Sequence, residues 1–170
     1  MRILVAVASR HGGTREIGSV IAGALLAAGH DVDELDPADV ALIDPYDAVV
    51  LGSAVYNGRW LPEARELAER AATPLSHRPV WLFSSGLATQ PASMANSPTE
   101  MRDLRERVAA RAHRNFAGRL DRSVLSFAER TIIAAARGRE GDHRDFVAVR
   151  AWGESIAQEL GAELTAHAPL

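Results

Sequence analysis

The sequence predicts an α/β domain on a doubly wound, five-stranded parallel sheet, strand order 2-1-3-4-5, with an insertion after the fifth strand. Three observations predict it. Short, largely apolar runs recur at residues 3–8, 48–52 and 80–84, the pattern of strands covered on both faces in a parallel sheet. Segments with apolar residues at helical spacing lie between them, so strand and helix alternate. Right-handed crossovers restrict the topology, and of the two common doubly wound orders five strands favour 2-1-3-4-5. In such a sheet a ligand sits at the carboxyl ends of strands one and three.

Each element has its own justification. Strand one, residues 3–8, is unbroken apolar sequence. Ile17, Val20, Ile21, Ala24, Leu25 and Ala28 then share one helical face, with Gly29 as the stop. Strand two, residues 32–35, alternates with acids. Strand three, residues 48–52, is wholly apolar. Helix 62–72 opens on Pro62 and places Ala64, Leu67, Ala68 and Ala71 on one face. Strand four is 80–84, and the stretch 85–97, rich in Ser, Pro, Ala and Gly, is long enough for a functional loop. Ser97-Pro98-Thr99-Glu100 combines a capping box with Pro at the first helical position. Residues 115–120 supply strand five. The insertion, 121–142, carries a second capping box at Ser126 and Glu129 and a short helix with Ile132 and Ile133. The last helix aligns Phe146, Val149, Trp152, Ile156 and Leu160.

Composition narrows the chemistry. Of 170 residues, 19 are basic and 22 acidic, giving a net charge of -3; every basic residue is Arg, and Cys is absent. Without Lys there is no pyridoxal Schiff base and no P-loop lysine. Without Cys there is no disulfide, thiolate metal site or thiol redox couple. Electron chemistry therefore requires a bound cofactor. The length and the 47% hydrophobic content fit a single domain spanning 1–170 that buries roughly 70% of its unfolded-chain surface. The charge gives no nucleic-acid footprint. The weakly polar run 17–29 is too short to span a bilayer, and the expected location is the cytoplasm.

The turn after strand one is Ser9-Arg10-His11-Gly12-Gly13-Thr14. Gly12 and Gly13 let backbone amides turn inward, Ser9 and Thr14 offer hydroxyls, and the following helix presents its positive end, which together make a phosphate cradle. The dipole contributes only about 0.3–1 kcal/mol. Charge-assisted hydrogen bonds of roughly 1.5–3 kcal/mol each must therefore do most of the holding. The alternative is an ordinary Gly-rich strand-to-helix turn.

This loop resembles the Ser/Thr-x-Thr-Gly-x-Thr loop with which flavodoxins bind the FMN phosphate, departing at His11, where an imidazole replaces a hydroxyl. Thr14-Arg15-Glu16-Ile17, the stretch Tyr46-Asp47-Ala48-Val49-Val50-Leu51-Gly52-Ser53-Ala54-Val55-Tyr56-Asn57-Gly58 and the insertion resemble the branch of menaquinone-dependent protoporphyrinogen oxidases. The resemblance covers nearly the whole chain. It implies that residues 53–60 wrap the ring: Ser53, Ala54 and Val55 beside it, Tyr56 stacking on its face, Trp60 a second aromatic whose structural reading is favoured. It implies that the Asn57-Gly58 peptide, a dipeptide suited to positive φ, flips on reduction; an ordinary tight turn is the alternative. Ser84, Ser85, Gly86 and Leu87 would meet the ring edge. No second stacking aromatic follows, which leaves one face open to a substrate, with residues 88–97 as lid or partner surface; a disordered loop is the alternative.

The resemblance thus implies an FMN-dependent oxidoreductase with a small-molecule or protein redox partner. A deazaflavin is the alternative cofactor; an electron carrier or a flavin-sequestering module is the alternative role. No side chain stands out as general acid or base, and the six His show no metal-ligand spacing, His30 reading as a solvated turn residue. Arg102, Arg105, Arg107, Arg111 and Arg114 read as a solvated helical face. The insertion, with Arg119, Arg122, Arg130, Arg137 and Arg139 beside Val124, Leu125, Phe127, Ile132 and Ile133, reads either as an approach to a quinone at the inner membrane surface or as packing along the sheet edge. A receiver domain shares the strand order but would need a strand-three Asp and a Lys, and neither is present.

Overall fold

The computed structural model describes residues 1–86, 98–135 and 140–166. Strand β1 (Arg2–Ala8) leads through residues 9–12 into helix α1 (Gly13–Ala27), followed by β2 (Asp31–Leu35) and a 3-10 turn at Pro37–Asp39. Then come β3 (Ala48–Tyr56), β4 (Arg59–Trp60), α2 (Pro62–Arg70), α3 (Ala72–Ser76) and β5 (Val80–Gly86). The chain continues with α4 (Pro98–Arg107), β6 (Ala112–Ala117), β7 (Arg119–Leu120), a 3-10 turn at Arg122–Val124, α5 (Phe127–Ala135), β8 (Gly141–Asp142) and α6 (Phe146–Ala166). The parallel sheet runs β2-β1-β3-β5-β6. Counting only its parallel strands, that is 2-1-3-4-5, the order expected from the sequence.

The apolar runs divide between the two faces of the sheet, as the period of two requires. On one face Leu4, Leu51 and Leu82 pack with Leu67 of α2 and Leu104 of α4. On the other, Ile3, Val50, Trp81 and Phe83 pack with Ile17, Ile21 and Leu25 of α1 and Val149, Trp152, Ile156 and Leu160 of α6. Phe83, Phe116 and Trp152 form an edge-to-face triad with centroids 5.7–6.2 Å apart. Gly52 makes room for it: a Cβ there would lie 2.2 Å from the Phe83 ring.

Five details differ from the sequence expectation. Strand three continues to Tyr56 and turns back through Asn57-Gly58 into β4, pairing Val55 with Trp60 and Tyr56 with Arg59. Asn57 and Gly58 have φ of 52° and 74°, the pair of positive values that lets a two-residue hairpin follow the strand twist. The fifth parallel strand is Ala112–Ala117, not 115–120, because Arg119–Leu120 pairs with Gly141–Asp142 in a separate ribbon. The basic stretch 102–114 is consequently not one helix: α4 ends at Arg107, Ala109 takes φ 50°, and Arg114 lies on β6. Helix 62–72 stops at Arg70, with Ala72–Ser76 as a separate turn of helix. Finally, His30 is only 9% exposed, because the backbone around it is tied to Leu25 and Met1; burial, then the N-terminal amine, pushes its pKa down. Leu87, Ser97 and the expected lid 88–97 lie outside the described residues.

Candidate functional site

At the carboxyl ends of β1, β3 and β5 a cleft is lined by Ser9, His11, Gly13 and Thr14 from the first loop, Ala54, Val55 and Tyr56 from β3, and Ser85 and Gly86 from β5. The structure thus brings together nine of the residues singled out in the sequence. The floor follows from the local fold. Gly12 is the N-cap of α1 at φ 80°, a conformation that suits glycine, and no side chain caps the helix. The first-turn amides of a helix have no intrahelical partner. Nothing lies within 4 Å of the place a Gly12 Cβ would take, so glycine is required here by its left-handed φ and not by lack of space.

The other sequence-predicted residues sit around this cleft without lining it. Ser53 is buried, its hydroxyl donating to the Ala54 carbonyl at 2.7 Å and accepting from the Leu61 N–H at 2.9 Å. It holds the entry to α2. Ser84 is also buried; its Oγ accepts from Trp60 Nε1 at 2.7 Å and lies 2.8 Å from His113 Nε2. Trp60, 2% exposed, is a structural residue behind the cleft wall. Burial, and secondarily Arg105, pushes the His113 pKa down to about 4, so the ring is neutral and its Nε2 can accept the Ser84 proton. Asn57 and Gly58 form the hairpin turn that sets the position of Tyr56. The Tyr56 ring is half-buried under the Arg10 guanidinium, 4.7 Å from the centroid, within cation–π range. Burial, then Glu129, raises its phenol pKa, against Arg10.

Sequence reasoning missed the roof and a clamp. Gly118, Arg119, Leu120, Asp121, Val124 and Leu125 complete the lining. The available signal was topological: an insertion leaving the carboxyl end of the last strand starts at the ligand end of the sheet. The clamp is Arg144, with a side chain only 3% exposed. Its guanidinium donates to the Gly13 carbonyl at 3.0 Å, to Glu16 Oε2 at 2.8 Å, and by two nitrogens to the Asp142 carboxylate at 2.6 and 2.8 Å. Arg144 holds the Asp142 pKa down to about 2. A fork that pairs in this way fixes orientation as well as distance, so the β7–β8 ribbon is tied to the start of α1.

The insertion also reaches the loop. Ser126 and Glu129 form the expected capping box: the Ser126 N–H donates to Glu129 Oε2 at 2.8 Å and the Glu129 N–H to Ser126 Oγ at 3.3 Å. Glu129 Oε1 lies 3.3 Å from His11 Nε2 and 3.8 Å from Arg10. The Ser126 backbone and hydroxyl, then His11, hold this carboxyl below the usual range. The cleft beneath encloses about 70 Å³. Among the described residues no helix is long and apolar enough to cross a membrane, and no cluster of His, Asp and Glu is arranged to hold a metal.

An archaeal flavodoxin structure superposes with a TM-score of 0.65 at 14% identity, covering 95% of this chain and 99% of the other. Oxidised flavodoxin 2 from Bacillus cereus gives 0.63 at 19% identity, with 94% and 99% covered. The flavodiiron protein of Giardia intestinalis gives 0.63 at 14% identity over 99% of this chain and 38% of that longer one. No curated protein matches the sequence. These structures are similar in fold; the sequence itself matches the family model described as flavodoxin domain over residues 4–146, and the chain therefore belongs to the flavodoxin domain family.

Proposed function

We propose that this chain is an FMN-binding redox protein. One observation carries the reading: a glycine-started, uncapped helix N-terminus and a half-buried tyrosine share one cleft at the switch point of the sheet. The donor set fits the cofactor. Loop amides and the Ser9 and Thr14 hydroxyls supply neutral donors for a phosphate, with Arg10 and His11 at the rim. Tyr56, Ala54 and Val55 supply a wall for a planar ring, and Ser85 and Gly86 bring β5 backbone to its edge. When bound, FMN supplies the electron chemistry. The protein's share is positional. Arg144 holds the loop carbonyl so that the amides face the cleft, the hairpin fixes Tyr56, and Leu120 and Leu125 exclude water above. The Asn57-Gly58 peptide is the candidate to reorient with the redox state.

Purified protein should be yellow, with flavin absorbance bands, and should release a compound of FMN mass on denaturation. A colourless protein that also fails to bind added FMN overturns the reading. A deazaflavin would be recognised by its own mass. The narrower expectation, protoporphyrinogen oxidation with a quinone acceptor, rests on the resemblance of two stretches and the insertion, whereas the comparisons reach the flavodoxin family and no further. Anaerobic turnover with protoporphyrinogen and menaquinone decides between that enzyme and an electron carrier.

A further inference from the structure

Glu129 faces the two basic side chains of the first loop. One of its oxygens is fixed by the α5 cap, and the other faces His11 and Arg10 at 3.3 and 3.8 Å. A carboxylate oxygen is anionic and accepts only, as a phosphate oxygen does, and the two draw on the same donors. Arg10 in turn covers Tyr56. The cation and the imidazole of the first loop are thus both engaged by the protein itself. The remaining space, about 70 Å³, is small beside the roughly 300–1,000 Å³ of ordinary ligand pockets.

On the reading that the ligand is a flavin phosphate, we propose that Glu129 competes with that phosphate for Arg10 and His11. Glu129 thereby sets how strongly the site prefers a phosphorylated flavin over an unphosphorylated one. Widening the cleft for the ring burdens both ligands equally. Bringing a second anion to the same donors burdens only the phosphorylated one.

The test compares FMN with riboflavin, by quenching of flavin fluorescence, on the wild type and Glu129→Gln. Glutamine keeps the capping box, so the helix start survives the change. The ratio of riboflavin Kd to FMN Kd should rise about tenfold in the variant, the worth of one charge-assisted bond. An unchanged or falling ratio overturns the proposal. If neither protein binds either flavin, the FMN reading fails on its own. Inorganic phosphate, followed through the His11 ring resonances, then decides the competition. Binding about tenfold tighter in Glu129→Gln supports it, and equal or undetectable binding in both proteins overturns it.

Discussion

At the residue scale, the absence of a side chain matters as much as its presence. Gly52 sits in the middle of a fully buried strand because Phe83 occupies the volume a Cβ would take, and Phe83 is pinned by Phe116 and Trp152. Gly52→Ala should therefore cost about 1–3 kcal/mol by overpacking, read as a lower denaturant midpoint at unchanged m-value. His113 makes the opposite point. Its native pKa of about 4 lies below the ordinary value of 6.5, so between those values the unfolded chain binds a proton that the native chain does not. Stability is fully present above pH 6.5 and is lost as pH falls toward 4. About 2 kcal/mol should go in that window, somewhat less than the full linkage value because the ring keeps some solvent contact. His113→Gln should flatten the pH profile measured by denaturant titration. Tyr56 and the two glycines of the first loop were legible in the sequence because each has a backbone or ring requirement that few residues meet. Glu129 was legible as a cap but not as a partner of His11, since at a sequence separation of 118 no pattern pairs them. Arg144 carried no signal, as a buried guanidinium reads like any surface arginine.

At the element scale, legibility followed burial. β1, β3 and β5 are mostly apolar because both faces are covered, and each stood out. β6 is the sheet edge, paired among the described residues with β5, and its Arg114 read as the end of a basic helical face while strand five was expected to start at Asn115. The β3–β4 hairpin was hidden for another reason: its return arm is two residues long, too short for periodicity to register. Its turn is nevertheless a strong constraint. Gly58→Ala forces alanine to a φ of 74° and should destabilise the protein by about 1 kcal/mol, measurable in the same titration. On the proposed function the variant also shifts the reduction potential of the bound flavin; an unchanged potential would remove the Asn57-Gly58 peptide from the mechanism.

At the scale of the whole molecule, strand order was legible from alternation and handedness alone, because few ways exist to cover both faces of a parallel sheet. The family match ends at residue 146, where α6 begins, yet α6 is part of the fold. Val149, Trp152, Ile156 and Leu160 cover the face formed by Ile3, Val50, Trp81 and Phe83, and Gly153 lets the helix approach Ala24 and Ile21 of α1 closely. Each large side chain is worth about 1.5–3 kcal/mol when buried. Their sum rivals the roughly 5–15 kcal/mol net stability of a typical domain. A chain ending at Asp145 should show no cooperative thermal transition by circular dichroism.

The burial of all three tryptophans has an optical consequence. Trp60, Trp81 and Trp152 are at most 8% exposed, so native emission should be blue-shifted and move to the red only on unfolding. They are not equivalent as reporters. Trp81 and Trp152 stand in the core face shared with α1 and α6, whereas Trp60 pairs across the hairpin with Val55, a residue of the cleft wall. Energy transfer to a ring held against that wall would be strongest from Trp60. The protein thus carries its own donor at the cleft and two gauges of its fold in the core, with no added dye.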